Sequence, residues 1–412
     1  MSFVPEILAP AGDMERLDAA LTYGADAVYL AKKMFGMRQG PENFDDESLR
    51  TAVNKCREKG VKVYLTCNTL PRNDEIPLFE DFIKQAVDCG IDAAIAADIG
   101  IMSMIKRIVP ELDIHMSTQC GIVNYAAASE LYNMGAKRVV LARELSLDEI
   151  AEIRAKTPKE LEIECFVHGA MCMSFSGRCL ISEYLTHRDP NRGQCAQPCR
   201  WGYYLTEETR EGQYFPVFED EKGTYILNSK DMCLIDHVDK LAEAGITSFK
   251  IEGRAKSAYY VSVITNAYKR AVSLYAEDPE NYVLPDSIRS EVFKVSHRDY
   301  CTGFYFGHPS QCRQYYADSG YIRNFDICAV VESSDSKRIQ CIQRNKFLCG
   351  ETVELLSPGE DFREITVRDM RDEAGEPIED TRHAAMRFSI ENPTGGPIAP
   401  GSVLRKNVVS GK

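Results

Sequence analysis

The stretch HGAMCMSFSGRC, residues 168–179, sets Cys172 and Cys179 seven positions apart between glycines, with His168 at its head. Downstream, RGQCAQPCRW adds Cys195 and Cys199, and NSKDMCLID adds Cys233. Four thiolates converging from loops suit zinc or an iron–sulfur cluster. Structural zinc sites are built from two tight pairs, whereas only Cys195 and Cys199 are close here; the wide first pair favours a cluster held by several loops. A cysteine nucleophile is the other chemistry, and it needs a base such as His168 with an orienting partner. Fifteen cysteines are many for such a chain, and in a reducing compartment they are not expected to pair as structural disulfides. Cys56, Cys67, Cys89, Cys120 and those beyond residue 300 read as small core residues. So does Cys165, which alternates with Ile163 and Val167 on one face of a strand. The insertion cysteines differ, because Gly, Arg, Asp, Pro and Gln flank them.

A second set of candidates ends the short apolar runs. These are Asn68, Asp98, His115, Gln119, Arg143, Glu144, His168, and Glu252 with Arg254; Lys250 alternates with Glu252, so both face the same way. The cations suit a carboxylate-bearing ligand, and Arg178, between the first two cysteines, can join them. A lone Arg or Glu at such a position more often serves a structural ion pair. The segment THRDPNRGQCAQPCRWGYY interleaves His187, Arg188, Arg192 and Arg200 with Trp201, Tyr203 and Tyr204 against one acid, Asp189. That mixture suits an unstacked RNA loop, where rings and guanidinium planes stack on bases. The competing reading of Trp201 is packing over the cysteine loop.

The elements that must position these residues form a repeated pattern. EILAPAG, ADAVYLA, VKVYLTCN, DAAIAAD, DIHMSTQ, KRVVLAREL, LEIECFVHG and SFKIEGR are eight strand candidates, with amphipathic segments such as DMERLDAALTYG between them. Gly24, Gly60, Gly90, Gly135 and Gly245 each precede a strand, as residues that close a helix do. Eight such units predict a (β/α)8 barrel, an α/β fold with its chemistry at the C-terminal ends of the strands. The first turn, APAGD, lacks the glycine fingerprint of an open dinucleotide-binding sheet. The unit between CFVHG and FKIEGR is too long for one helix, which predicts a cysteine-rich insertion at about 168–235. From Tyr321 onward, short alternating runs separated by Gly, Pro, Asp and Asn predict a small all-β barrel domain, giving units of 1–320 and 321–412.

A chain of 412 residues, 44% apolar, can bury a large core. No stretch approaches the roughly 18 apolar residues of a spanning helix, and MSFVPEILAPAGDMERLDAA does not resemble a signal peptide. The expected location is cytoplasmic, with no membrane partner. A net charge of -13 argues against a globally basic nucleic-acid surface, so a polyanion would need a local positive patch. The β domain is a second candidate RNA surface without a diagnostic motif.

FVHGAMCMSFSGRCLIS resembles the signature of peptidase family U32, and the similarity extends through GADAVYLA, LTCNTLPRNDE, HRDPNRGQCAQPCRW, LNSKDMCLI, KIEGRAKSAYYV and HRDYCTGFYFG. With its final β domain the chain looks most like the tRNA-hydroxylating branch of that family. The resemblance implies a [4Fe–4S] cluster on Cys172, Cys179, Cys195 and Cys233, with Cys199 as a fifth thiol able to replace one of them. It implies oxygen-independent hydroxylation of wobble uridine (U34) in the tRNA anticodon loop to 5-hydroxyuridine, with prephenate, a dicarboxylate, as oxygen donor. It leaves room for a related family member as second subunit. On this reading His168, Glu252, Arg254 and Arg178 are catalytic candidates, and Asn68, Gln119, Arg143, Lys250 and Trp201 contact substrate. The family name implies a collagenase-like peptidase instead, but neither HExxH nor GxSxG is present. An RNA-binding or assembly module without chemistry is a third class.

Overall fold

The computed structural model describes residues 4–37, 42–172, 174–201, 218–220, 223–225, 230–307 and 321–408. Tyr203 and Tyr204 therefore lie outside the described residues. All eight strand candidates form strands: β1 (Glu6–Pro10), β2 (Ala27–Leu30), β3 (Lys62–Cys67), β4 (Ala93–Ala96), β5 (Asp113–Met116), β6 (Arg138–Val140), β7 (Glu162–Ala170) and, after the insertion, β11 (Ser248–Ile251). Neighbours are parallel in sequence order, and β11 pairs with both β7 and β1, which closes the barrel. Around it lie α1 (Met14–Thr22), α2 (Asp46–Glu58), α3 (Ile76–Cys89), α4 (Ile99–Ile108), α5 (Tyr125–Asn133), α6 (Leu147–Lys156), α8 (Val238–Glu243) and α9 (Ala258–Glu277). Their apolar stripes pack on the outer faces of the strands, as Leu49, Ala52, Val53 and Cys56 of α2 do. The five glycines read as helix closers have φ between 69° and 106°.

The barrel interior is partly charged. Arg138 reaches Glu6 at 2.7 Å, Glu162 at 2.6 Å and Glu164 at 3.0 Å, and Glu164 also takes the Lys250 ammonium at 2.6 Å. The Tyr64 hydroxyl donates to Glu6 at 2.7 Å and Ser248 to the same carboxylate at 3.0 Å. Burial works against the charge on Glu6, but Arg138 and these donors outweigh it and hold the carboxyl below its usual range.

Three features break the barrel pattern. The pairing of β7 with β11 shifts register between Lys250 and Ile251. The end of β7 then pairs antiparallel with β10 (Asp231–Cys233), which carries the two-residue β12 (Tyr300–Cys301) beside it. The insertion also holds α7 (Ile181–Thr186) and a small hairpin of β8 (Phe218–Asp220) and β9 (Gly223–Tyr225).

Beyond α10 (Asp286–Glu291), a second unit holds β13 (Phe325–Ser334), β14 (Arg338–Gln343), β15 (Thr352–Leu356), β16 (Arg363–Thr366), β17 (Arg371–Asp372), β18 (Arg387–Glu391) and β19 (Val403–Asn407). They form one antiparallel sheet in the order β16-β15-β19-β13-β14-β18-β17, and its two edges do not pair among the described residues. The expected small β barrel is thus a half-barrel, packed around Cys341, Phe347, Phe388 and Leu404. Leu356 and Val403 join the core of the (β/α)8 barrel. Among the described residues no helix is long and apolar enough to cross a membrane.

Candidate functional site

A cavity of about 450 Å³ opens at the C-terminal ends of the barrel strands, with the insertion as its outer wall. Of the residues expected to contact or transform substrate, Asn68, Gln119, Arg143, Lys250, Glu252 and Arg254 all line it. Lys250 lies on its floor, paired to Glu164 and set over the rings of Tyr29 at 4.7 Å and Phe166 at 5.4 Å. Arg143 stacks over the other reach of Phe166 at 3.8 Å and donates to the Ala170 carbonyl at 2.9 Å. Arg254, only 2% exposed, donates to Thr66 Oγ1 at 2.9 Å. Asn68 Oδ1 accepts the Met37 N–H at 3.1 Å, which ties the loop after β2 to the end of β3. Glu144 accepts from the Ser176 N–H at 2.7 Å and its hydroxyl at 2.9 Å, anchoring the insertion to the end of β6. Arg143, Lys250 and Arg254, the amides of Asn68 and Gln119 and several hydroxyls therefore converge on one partly apolar hollow, an arrangement suited to an anionic small molecule or a polar ring.

Close backbone approach holds Glu252 in place. A Cβ on Gly169 (φ +111°) would lie 2.5 Å from the Glu252 carbonyl oxygen, so only glycine fits there. The Glu252 N–H donates to the His168 carbonyl at 2.9 Å, and the Glu252 carbonyl accepts from the Tyr260 hydroxyl at 2.8 Å.

His168 itself does not line the cavity. Past the register shift the face of β7 turns over, and the ring lies among Tyr260, Tyr268 and Tyr300 at centroid distances of 6.0, 5.6 and 5.2 Å. Tyr268 Oη is 3.4 Å from Nδ1 and Tyr300 Oη is 3.3 Å from Nε2. Burial, then the charges of Lys256 and His297, push its pKa down to about 3. It is a neutral, buried ring behind the strand. His115 is also internal, 4.6 Å from the Tyr64 ring, and Asp98 caps α4 by accepting the Ile101 N–H at 3.0 Å. Arg178 and Trp201 are exposed and lie outside the lining.

The cysteines divide. Cys172, Cys179, Cys195 and Cys199 line the cavity, whereas Cys233 does not. Cys233 pairs with His168 across β10 and β7, so it shares that ring's side of the sheet and hydrogen-bonds to Tyr268 of α9. Burial pushes its thiol up to about 12. Four thiols on one wall have the right donor chemistry for iron. Their placement does not yet fit a cluster: among the described residues no three His, Cys, Asp or Glu side chains are grouped closely enough to hold a metal ion.

Sequence reasoning missed Tyr29, Thr66, Phe166 and Ser176 of the lining, and Glu164 beneath it. Phe166 and Glu164 had a signal: they alternate with Cys165 on β7 and so face inward.

The fold and site define a (β/α)8 barrel protein with a cysteine-walled cavity at the strand ends and an appended β half-barrel. The chain belongs to peptidase family U32: it matches the sequence model of that family over residues 12–315 and of the peptidase family U32 C-terminal domain over 323–405. It is 35% identical over 406 residues to tRNA hydroxylation protein P1 of Bacillus subtilis, covering 98% of this chain and 94% of that protein. It is 35% identical over 417 residues to tRNA hydroxylation protein P of Escherichia coli, 91% of this chain and 90% of that one. A collagenase of Porphyromonas gingivalis is 35% identical over 312 residues, 73% of each chain.

Proposed function

We propose that this chain is an enzyme that hydroxylates tRNA, converting wobble uridine to 5-hydroxyuridine without dioxygen and drawing the hydroxyl oxygen from prephenate. The observation that carries the reading is the cavity, where Arg143, Lys250 and Arg254 converge with Asn68 and Gln119 beneath a wall of thiols. The names of the relatives aligned over nearly the whole chain point the same way. The cations hold the carboxylates of the donor, Asn68 and Gln119 offer amides to the uracil edge, and Glu252 is the carboxylate placed to move a proton.

A [4Fe–4S] cluster on Cys172, Cys179 and Cys195 belongs to the proposal and has its own test; Cys199 shares their wall as fourth thiol, whereas Cys233 would have to turn from the other side of the sheet to serve. Anaerobically purified protein should be brown and contain iron, and Cys172→Ala or Cys179→Ala should lose it. Colourless protein with stoichiometric zinc rejects the cluster.

The peptidase reading draws no support from the geometry. Among the described residues no histidine lines the cavity, and His168, the base nearest in sequence to the thiols, faces the other way. The decisive measurement is nucleoside mass spectrometry of tRNA from a strain lacking the gene. Nucleosides derived from 5-hydroxyuridine should vanish and return with the wild-type chain but not with Lys250→Met. An unchanged profile, with no second gene of the family present, rejects the role.

A further inference from the structure

The cavity is small, while a folded RNA is large, so the rim must carry most of any RNA contact. Among the described residues sixteen large hydrophobic side chains are exposed, and four of them lie within residues 175–201: Phe175 at 51%, Leu180 at 73%, Leu185 at 45% and Trp201 at 44%. Such clustering along one exposed segment is what an interaction surface requires. The segment is one folded unit. Asn191 Nδ2 donates to the Cys179 carbonyl at 2.9 Å, the Ser182 hydroxyl donates to the Arg188 carbonyl at 2.8 Å, and the Ala196 N–H donates to that hydroxyl at 3.0 Å. The Leu70 N–H donates to the Asn191 carbonyl at 3.4 Å, which seats the unit on the barrel end. Its inner side supplies Cys179, Cys195 and Cys199 to the cavity.

Charge decides what covers the outer side. The whole chain has 49 basic and 62 acidic residues, but residues 171–201 contain Arg178, Arg188, Arg192 and Arg200 against only Glu183 and Asp189. Arg178 and Arg188 are exposed with no acidic partner among the described residues, and Arg188 stands at the cavity mouth. On the half-barrel, by contrast, acids outnumber bases and most cations are paired, as Arg338 is to Asp369, Lys346 to Asp380, Arg387 to Glu332 and Lys406 to Glu351; only Lys337 and Arg368 make no ion pair among the described residues. Rings and unpaired guanidinium groups together fit a single-stranded polyanion with stacking faces.

The geometry points to this outer face of the insertion, and not to the half-barrel, as the surface that seats an unpaired RNA loop. Bases stack on Trp201 and Phe175, Arg178 and Arg188 hold phosphates, and one base enters the cavity beside Arg188. The inference rests on the tRNA reading above and adds where and how the loop is held.

Fluorescence anisotropy with the full chain and a short RNA hairpin carrying an unpaired, uridine-containing loop tests it. Trp201→Ala and Phe175→Ala should each weaken hairpin binding about tenfold, Trp201→Phe should restore most of the loss, and a fully paired duplex should bind poorly. Arg178→Gln and Arg188→Gln should each reduce the slope of log affinity against log salt by about 0.7. Arg338→Gln on the half-barrel should change neither quantity. If the rim variants bind the hairpin as tightly as wild type while Arg338→Gln weakens it, the surface is wrongly placed and the tRNA reading stands. If they keep RNA affinity but alter self-association in light scattering, the patch seats a second copy and the inference fails. A wild-type chain that binds neither hairpin nor whole tRNA defeats the tRNA reading and this surface with it.

Discussion

Glu164 and Lys250 sit on adjacent barrel strands, 2.6 Å apart and no more than 5% exposed, with Arg138 on the other oxygen of Glu164 at 3.0 Å. Arg138 is the shared partner of Glu6, Glu162 and Glu164, so Arg138→Met would leave buried carboxylates with one ammonium between them. A loss of about 3–5 kcal/mol in urea unfolding is expected; a loss indistinguishable from that of a surface Arg→Met control would mean the network is not coupled. The buried histidines add a pH dependence. His168 and His115 are both held neutral, their pKa values lowered by burial. Their unfolded forms take up protons below about 6.5 while the folded forms do not, so this stability is present above that value and is lost as pH falls. Between pH 7 and 5.5 each should cost about 1 kcal/mol, and His168→Phe should flatten the slope of unfolding free energy against pH by that amount. Part of this scale was legible: of the strand-end polar residues, Asn68, Gln119, Arg143, Glu144, Glu252 and Arg254 line the cavity, whereas Asp98 and His115 do not. His168 was not, because extrapolating strict alternation along β7 cannot anticipate a register shift imposed by its partner strand.

The same shift governs the elements around it. β7 runs for nine residues, beyond the barrel, because its end finds a second partner in β10. The eight barrel strands could be read from apolar runs and closing glycines, since each is a local pattern repeated. β10 and β12, three and two residues long, carry no periodicity to read and exist only through tertiary pairing. Cys233 sits on β10 and follows that strand's facing, which explains why its spacing in sequence did not reveal the side of the sheet it occupies. Gly169 is where the junction is tightest. Gly169→Ala combines the strain of positive φ, about 1–3 kcal/mol, with a backbone clash against Glu252 that no rotamer relieves. Gly60→Ala has positive φ but nothing within 4 Å. Thermal unfolding should therefore rank Gly169→Ala well below Gly60→Ala, and only the first should lower tRNA modification, by moving Glu252. Equal losses in both would show that the strands part without strain.

At the scale of the whole molecule the two units are locked through a seam that is both apolar and ionic. Leu356 and Val403 of the half-barrel join the barrel core, and the hydroxyl of Tyr23, just past the end of α1, donates to the Leu356 carbonyl at 3.1 Å. Arg405, fully buried, reaches Glu291 of α10 at 2.6 Å and Glu354 of β15 at 2.7 Å, and Lys294 reaches Glu354 at 2.9 Å. Burial opposes the charge on Arg405, but Tyr259 and the two carboxylates outweigh it and hold the guanidinium above its usual range. The sequence marked a compositional change near this junction but not the seam, because its members lie far apart along the chain and meet only when both units are folded. A shared core makes the units one cooperative block. Calorimetry should accordingly show a single transition for the wild-type chain, and Arg405→Met, which leaves Glu291 and Glu354 to one ammonium, should lower stability by about 3–5 kcal/mol and move the whole transition down together. Two separate wild-type transitions, with only the half-barrel transition shifted by Arg405→Met, would mean that the seam is an adhesive contact between independent domains and not part of one folding unit.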